Sequence, residues 1–128
     1  MSKTISYRGK LPVGEQDRIR LRTINGKVGY RITKFQVIST TPGGATSEMI
    51  GQIFKTDQTN NITTTVDFSD SDLLAMAFYQ DGSTIDNTQN MTVIFDNEKF
   101  NQDIFVNITD ASGSTVPGNY YIELEAMS

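Results

Sequence analysis

Apolar residues fall on every second position in several short runs of this chain. Met91, Val93 and Phe95 form one such run, Ile104, Val106 and Ile108 a second, and Tyr120, Ile122 and Leu124 a third. A period of two is the pattern of a strand with one buried face, because successive side chains point to opposite sides. Turn residues separate the runs: Asp96-Asn97-Glu98 in the first gap, and the stretch from Asp110 to Ser114 with Pro117-Gly118-Asn119 in the second. The three runs read as an antiparallel meander.

The same pattern extends upstream. Residues 17–24 put Ile19 and Leu21 on one face and Arg18, Arg20 and Arg22 on the other, with the arginines about 7 Å apart along the strand. Asn25-Gly26 then predicts a tight hairpin. A strand over 28–39 follows, and its parity slips near Thr33-Lys34, as a bulge would make it. Residues 48–56 read as a strand with Gly51 inside it, a sign of close backbone approach. Residues 62–68 are β-branched and predict a short strand. Ser and Asp ahead of an apolar run predict one helical turn around Asp70 to Leu73, then a buried strand to Tyr79. Residues 1–14 read as an arm or an edge strand. Eight or nine short strands without a long helix predict an all-β fold, an antiparallel β-sandwich of about eight strands, jelly-roll-like, with residues 15–128 as a single domain.

Composition narrows the chemistry. The 128 residues include neither Cys nor His, so disulfides, thiolate sites, cysteine nucleophiles and the commonest general base are excluded. No catalytic residue, metal site or cofactor is expected, and the protein is not expected to be an enzyme. Asp67, Asp70 and Asp72 with Ser69 and Ser71 offer oxygens suited to calcium, but caps of a helix start account for them more simply. Asp96, Glu98 and Asp103 bracket a turn, where acids are common in any case. Gly43-Gly44 lacks the following Lys and helix of a phosphate cradle. The triplets at Asn61, Asn90 and Asn107 match the N-glycosylation pattern by accident. No run is long and apolar enough for a membrane helix, and no secretory leader is visible, so synthesis in a cytoplasm and no membrane partner are expected.

Charge is unevenly spread. Nine of the eleven basic residues lie in the first 34 positions against only Glu15 and Asp17, a local charge of +7. The other 94 residues carry Lys55 and Lys99 against thirteen acids, −11. Opposite-signed halves fit packing onto copies of the same chain or docking on an acidic partner. A net charge of −4 and a pI near 4.7 weigh against nucleic acid. Lys3, Arg8, Lys10, Arg18, Arg20 and Arg22 are the candidate interface cations. Tyr121, expected outside while Tyr120 points in, is the candidate interface aromatic.

The segments EQDRIRLRTINGKVGYRITKFQVIST (15–40), GQIFKTDQTN (51–60), TVIFDNEKFNQDIFVNITDASG (92–113) and NYYIELEAMS (119–128) resemble small β-rich virion structural proteins of marine tailed bacteriophages. The resemblance spans nearly the whole chain and carries no site motif, so no functional residue transfers with it. It implies a capsid decoration or cement protein, located in the virion after synthesis in the host cytoplasm, or else a tail or head-fibre component. The implied partners are copies of itself, as a trimer or other cyclic oligomer, and the major capsid protein or another virion protein. A carbohydrate-binding β-sandwich for host attachment is the competing expectation. Tyr79-Gln80-Asp81 and Phe95-Asp96-Asn97 are its only aromatic candidates.

Overall fold

The computed structural model describes residues 3–21, 29–44, 46–81, 89–95 and 102–127. Eight strands are formed among them: β1 (Lys3–Leu11), β2 (Glu15–Ile19), β3 (Gly29–Ser39), β4 (Ser47–Phe54), β5 (Leu73–Asp81), β6 (Gln89–Ile94), β7 (Ile104–Asp110) and β8 (Gly118–Met127). They build two antiparallel sheets, β1-β8-β3 and β2-β7-β4-β5-β6. The all-β sandwich expected from the alternation is the fold. The inward faces meet in a core whose fully buried members include Phe35, Ile122 and Leu124 from the first sheet. Met49, Ile53, Ile104, Val106 and Ile108 face them from the second.

Strand order overturns the expected meander. β6 pairs with β5, β7 lies between β2 and β4, and β8 sits in the other sheet between β1 and β3. Two inward apolar faces of opposite sheets look the same in sequence as two neighbours in one sheet. β2 and β3 are likewise in different sheets, so the expected hairpin between them is not a paired ladder; its Asn25-Gly26 turn lies outside the described residues. In β6 the parity is reversed: Met91 is opposite Phe78 on the outer face and more than half exposed, while Asn90, Thr92 and Ile94 share the inward side with Tyr79, Ala77 and Ala75. An edge strand touches too little core for its apolar pattern to dictate its face.

The pairs β1·β8, β2·β7 and β4·β5 are nested as in one long hairpin folded over on itself, part of the pairing scheme that a jelly roll would require. Its remaining pair, β3 with β6, is not a ladder here. β6 reaches β3 through Thr92, whose hydroxyl donates to the Phe35 carbonyl at 3.0 Å. Clefts of about 290 and 270 Å³ flank this clasp.

Other local expectations fare differently. The register shift between Ile32 and Lys34 is the bulge foreseen near Thr33-Lys34. Gly51 is indeed a close approach, since a Cβ there would lie 2.5 Å from Val37 Cγ2. Residues 62–68, expected as a strand, are instead part of the irregular 55–72 connection. The expected helical turn at 70–73 is a β-turn, closed by the Leu73 N–H to the Asp70 carbonyl at 3.2 Å. Asp67 and Asp70 accept from the backbone N–H groups of Ser69 and Asp72, so these acids hold turns where helix caps were expected. The 55–72 connection drapes over the outer face of the second sheet, which explains why β4 and β7 are buried on both sides. Gln52, 2% exposed, pins it by donating from Nε2 to the Thr65 and Thr63 carbonyls at 3.2 and 3.4 Å.

Candidate functional site

The outer face of the three-stranded sheet is the most organised exposed surface. By strand alternation β1 presents Thr4, Ser6, Arg8 and Lys10, β8 presents Asn119, Tyr121, Glu123 and Glu125, and β3 presents Arg31, Lys34, Gln36 and Ile38. The registers set these in rows: Thr4–Glu125–Arg31, Ser6–Glu123–Lys34, Arg8–Tyr121–Gln36 and Lys10–Asn119–Ile38. Basic edge strands therefore flank an acidic middle strand. Arg31 and Glu125 form an ion pair at 2.7 Å. The Tyr121 hydroxyl donates to Glu123 at 2.7 Å, and that bond holds its phenol above the ordinary tyrosine range. Ile38, 44% exposed, is a large apolar side chain on this face.

The opposite face carries the other sign. The 55–72 connection brings Asp57, Asp67, Asp70 and Asp72 over the second sheet against Lys55. Hydrogen bonds from Thr59 and Gln16 keep the Asp57 carboxyl below its usual range, and bonds from Ser69 do the same for Asp67.

The candidate cations of the sequence are divided between these faces. Arg8 and Lys10 lie on the first, next to Tyr121. Arg18 lies on the second sheet, 2.7 Å from Asp103 and with its guanidinium 5.8 Å from the centre of the Phe105 ring. Asp103 also accepts from the Leu21 N–H, and that bond, ahead of Arg18, lowers its pKa. β2 ends at Ile19, so Arg20 follows the strand, but the expected alternation holds through Leu21, with Arg18 and Arg20 exposed and Ile19 and Leu21 buried; Arg22 is outside the described residues. Lys3 starts β1 on the other parity, opposite Ala126. Sequence reasoning missed Arg31, Lys34, Glu123 and Glu125 as members of the first face. The alternate spacing of Glu123 and Glu125 was visible, and the bulge between Ile32 and Lys34 puts Arg31 and Lys34 on one side, but which strands were neighbours was not.

The remaining candidates disperse. Tyr120 is buried, as expected, and its hydroxyl crosses to the other sheet to bond Asp17 at 2.9 Å. Tyr79 is 4% exposed with its hydroxyl on Asp81, so it presents no ring on a loop. Phe95 packs edge-on against Phe68, ring centres 5.3 Å apart. Asp96, Asn97 and Glu98 are outside the described residues. Asn107 is 1% exposed in mid-strand, no place for a glycan. Among the described residues no three Asp or Glu side chains gather as a metal-binding group, and no helix is long and apolar enough to cross a membrane.

No protein-family model matches the chain, and no curated protein matches its sequence.

Proposed function

We propose that this protein is a structural component of a virion, a decoration or cement protein that associates with copies of itself and binds the capsid shell through its sheet faces. The observation that supports this reading is the separation of charge between the two outer faces. Arg8, Lys10, Arg31 and Lys34 sit around two glutamates on one side, and four aspartates of the 55–72 connection cover the other. A face rich in flexible cations and an opposite face rich in carboxylates complement each other from copy to copy. Such a heterologous contact closes into a ring when the rotation permits, so a trimer or other cyclic assembly is the expected product. The resemblance to phage virion proteins points in the same direction.

The test is charge reversal on the exposed strand. Arg8→Glu with Lys10→Glu leaves the inward face of β1 untouched. The wild-type chain is expected to run as an oligomer in light scattering and to co-sediment with capsids, and the double variant to lose both. A wild-type monomer that ignores particles would overturn the proposal.

A second reading is favoured by the cleft of about 290 Å³ between β3 and β6. Tyr121 and Phe78 line it together with the amides of Gln36, Asn90 and Asn119, a mixture suited to sugar hydroxyls and ring faces. Screening on a glycan array separates this attachment role from the structural one.

A further inference from the structure

One end of the sandwich holds buried polar groups that the faces described above do not use. Ser47, Asp81 and Asp110 all point inward, by the alternation that puts Met49, Tyr79 and Ile108 in the core. Ser47 is directly opposite Asp81 in the β4–β5 ladder, and Asp110 is opposite Met49 in the β4–β7 ladder. The serine thus stands between the two carboxylates, with Asp110 on its diagonal, where Cα atoms are about 7–8 Å apart. All three are buried: Ser47 is 0% exposed, Asp110 7% and Asp81 8%.

Their hydrogen bonding is lopsided. Asp110 Oδ1 accepts from the Glu48 N–H at 3.1 Å, the Ser112 N–H at 2.9 Å and the Ser112 hydroxyl at 2.6 Å. Asp110 Oδ2 and Ser47 Oγ, both buried, find no partner among the described residues. Asp81 Oδ2 accepts from the Tyr79 hydroxyl at 2.7 Å and the Gly43 N–H at 2.5 Å. A bare carboxylate oxygen in the interior costs several kcal/mol unless something replaces its water. The partnerless Ser47 hydroxyl can lend only an oxygen lone pair or one proton.

We propose that Ser47, Asp81 and Asp110 bind a calcium ion at this end of the core. Three hard oxygen donors from three adjacent strands, two of them carboxylates, suit a cation that accepts oxygen ligands at 2.3–2.6 Å in irregular geometry, by the general rule for calcium. Softer metals prefer the imidazole nitrogen and thiolate sulfur that this chain lacks. The ion neutralises the buried carboxylates and ties β4, β5 and β7 together where the 40–46 and 111–117 connections leave the sheets. The sequence reading expected no metal, and nothing in it joined Asp81 to Asp110, which lie 29 positions apart. The third ligand is a serine whose position only the ladder reveals.

Terbium, a calcium mimic whose emission is sensitised by tyrosine, tests this directly, since the Tyr79 hydroxyl bonds a proposed ligand. Excitation of the purified full-length chain is expected to give terbium emission that calcium displaces, and calcium is expected to raise Tm over a chelator-treated sample. Asp110→Asn should weaken terbium binding by about tenfold or more, while Asp70→Asn on the 55–72 connection should not. If Asp110→Asn fails to fold, Ser47→Ala carries the comparison. No emission, with the same Tm in calcium and in chelator, would overturn the proposal and assign the two unpartnered oxygens to ordered water. Emission lost in Asp70→Asn but kept in Asp110→Asn would overturn it equally, by placing the ion on the connection.

Discussion

Replacing Gly51 by alanine isolates how tightly the two sheets are pressed together. The backbone at Gly51 does not have the left-handed conformation found at Gly14, Gly43 and Gly113, so alanine meets no dihedral strain. By chain entropy alone the change would stabilise the fold by about 0.4–1 kcal/mol. The obstacle is space: the new Cβ would lie 2.5 Å from Val37 Cγ2 and 2.9 Å from Phe35 Cζ. Both contacts are shorter, the first by about 1 Å or more, than the optimum carbon–carbon separation of about 3.5–4.0 Å. Val37 is stiff at χ1 and Phe35 is fully buried, so neither side chain can step aside. β3 must move off β4, which also strains the Thr92 clasp to the Phe35 carbonyl. Overpacking of this kind costs about 1–3 kcal/mol, so the net loss is expected near 1–2 kcal/mol, or about 4–8 °C in Tm at roughly 4 °C per kcal/mol. Val37→Ala removes the offending methyls and by itself leaves a cavity, at about 2 kcal/mol. The double variant lets the alanine methyl occupy that space, so it should be more stable than the sum of the two losses by about 1 kcal/mol or more. Urea denaturation of the four proteins measures the cycle. A Gly51→Ala protein as stable as wild type, or a cycle with no coupling, would refute the close approach of β3 to β4 as the reason for glycine here.

Stability at high pH should report the buried phenols. Burial, helped by Asp81, pushes Tyr79 from its usual 10.0 up to about 12, so above pH 10 the unfolded chain releases a proton that the folded one keeps. Stability is then full below pH 10 and falls as pH climbs toward 12. Tyr79→Phe should flatten that decline in denaturant titrations, leaving the part due to Tyr120, which burial and Asp17 raise as well; an unchanged slope would show that Tyr79 is not held neutral. Gln52→Met keeps the volume but removes the two bonds to the Thr63 and Thr65 carbonyls. It should cost about 1–2 kcal/mol and speed hydrogen exchange across residues 59–68, and unaltered exchange there would mean that Gln52 does not pin the connection.

How much of this was legible depends on what each residue's pattern reports. Ile104, Val106 and Ile108, and likewise Tyr120, Ile122 and Leu124, face the core because central strands are covered along their whole length, so alternation alone identified their buried sides. Gly51 and the slip at Thr33-Lys34 were readable for a related reason, since each breaks a strand pattern at one position. β6 was misread because an edge strand has little core to answer to. Residues 62–68 were misread because β-branched composition is equally consistent with a chain laid over a sheet whose outer face needs cover. The candidate faces show the same division. That Arg8 and Lys10 are interface candidates followed from the charge distribution, but that they share a face with Glu123 and Lys34, and that Arg18 does not, required the strands and their order.

Sequence by itself determined the class of fold, the boundaries of most strands, the inward sides of the central ones and the absence of thiol and imidazole chemistry, because these follow from local periodicity and residue type. Tertiary structure alone decided which strands pair, how the cations are shared between the two outer faces and that Ser47 stands opposite Asp81 on the strand next to that of Asp110. Each of those contacts joins positions far apart in the chain, and a period of two says which way a side chain points but not what stands opposite it.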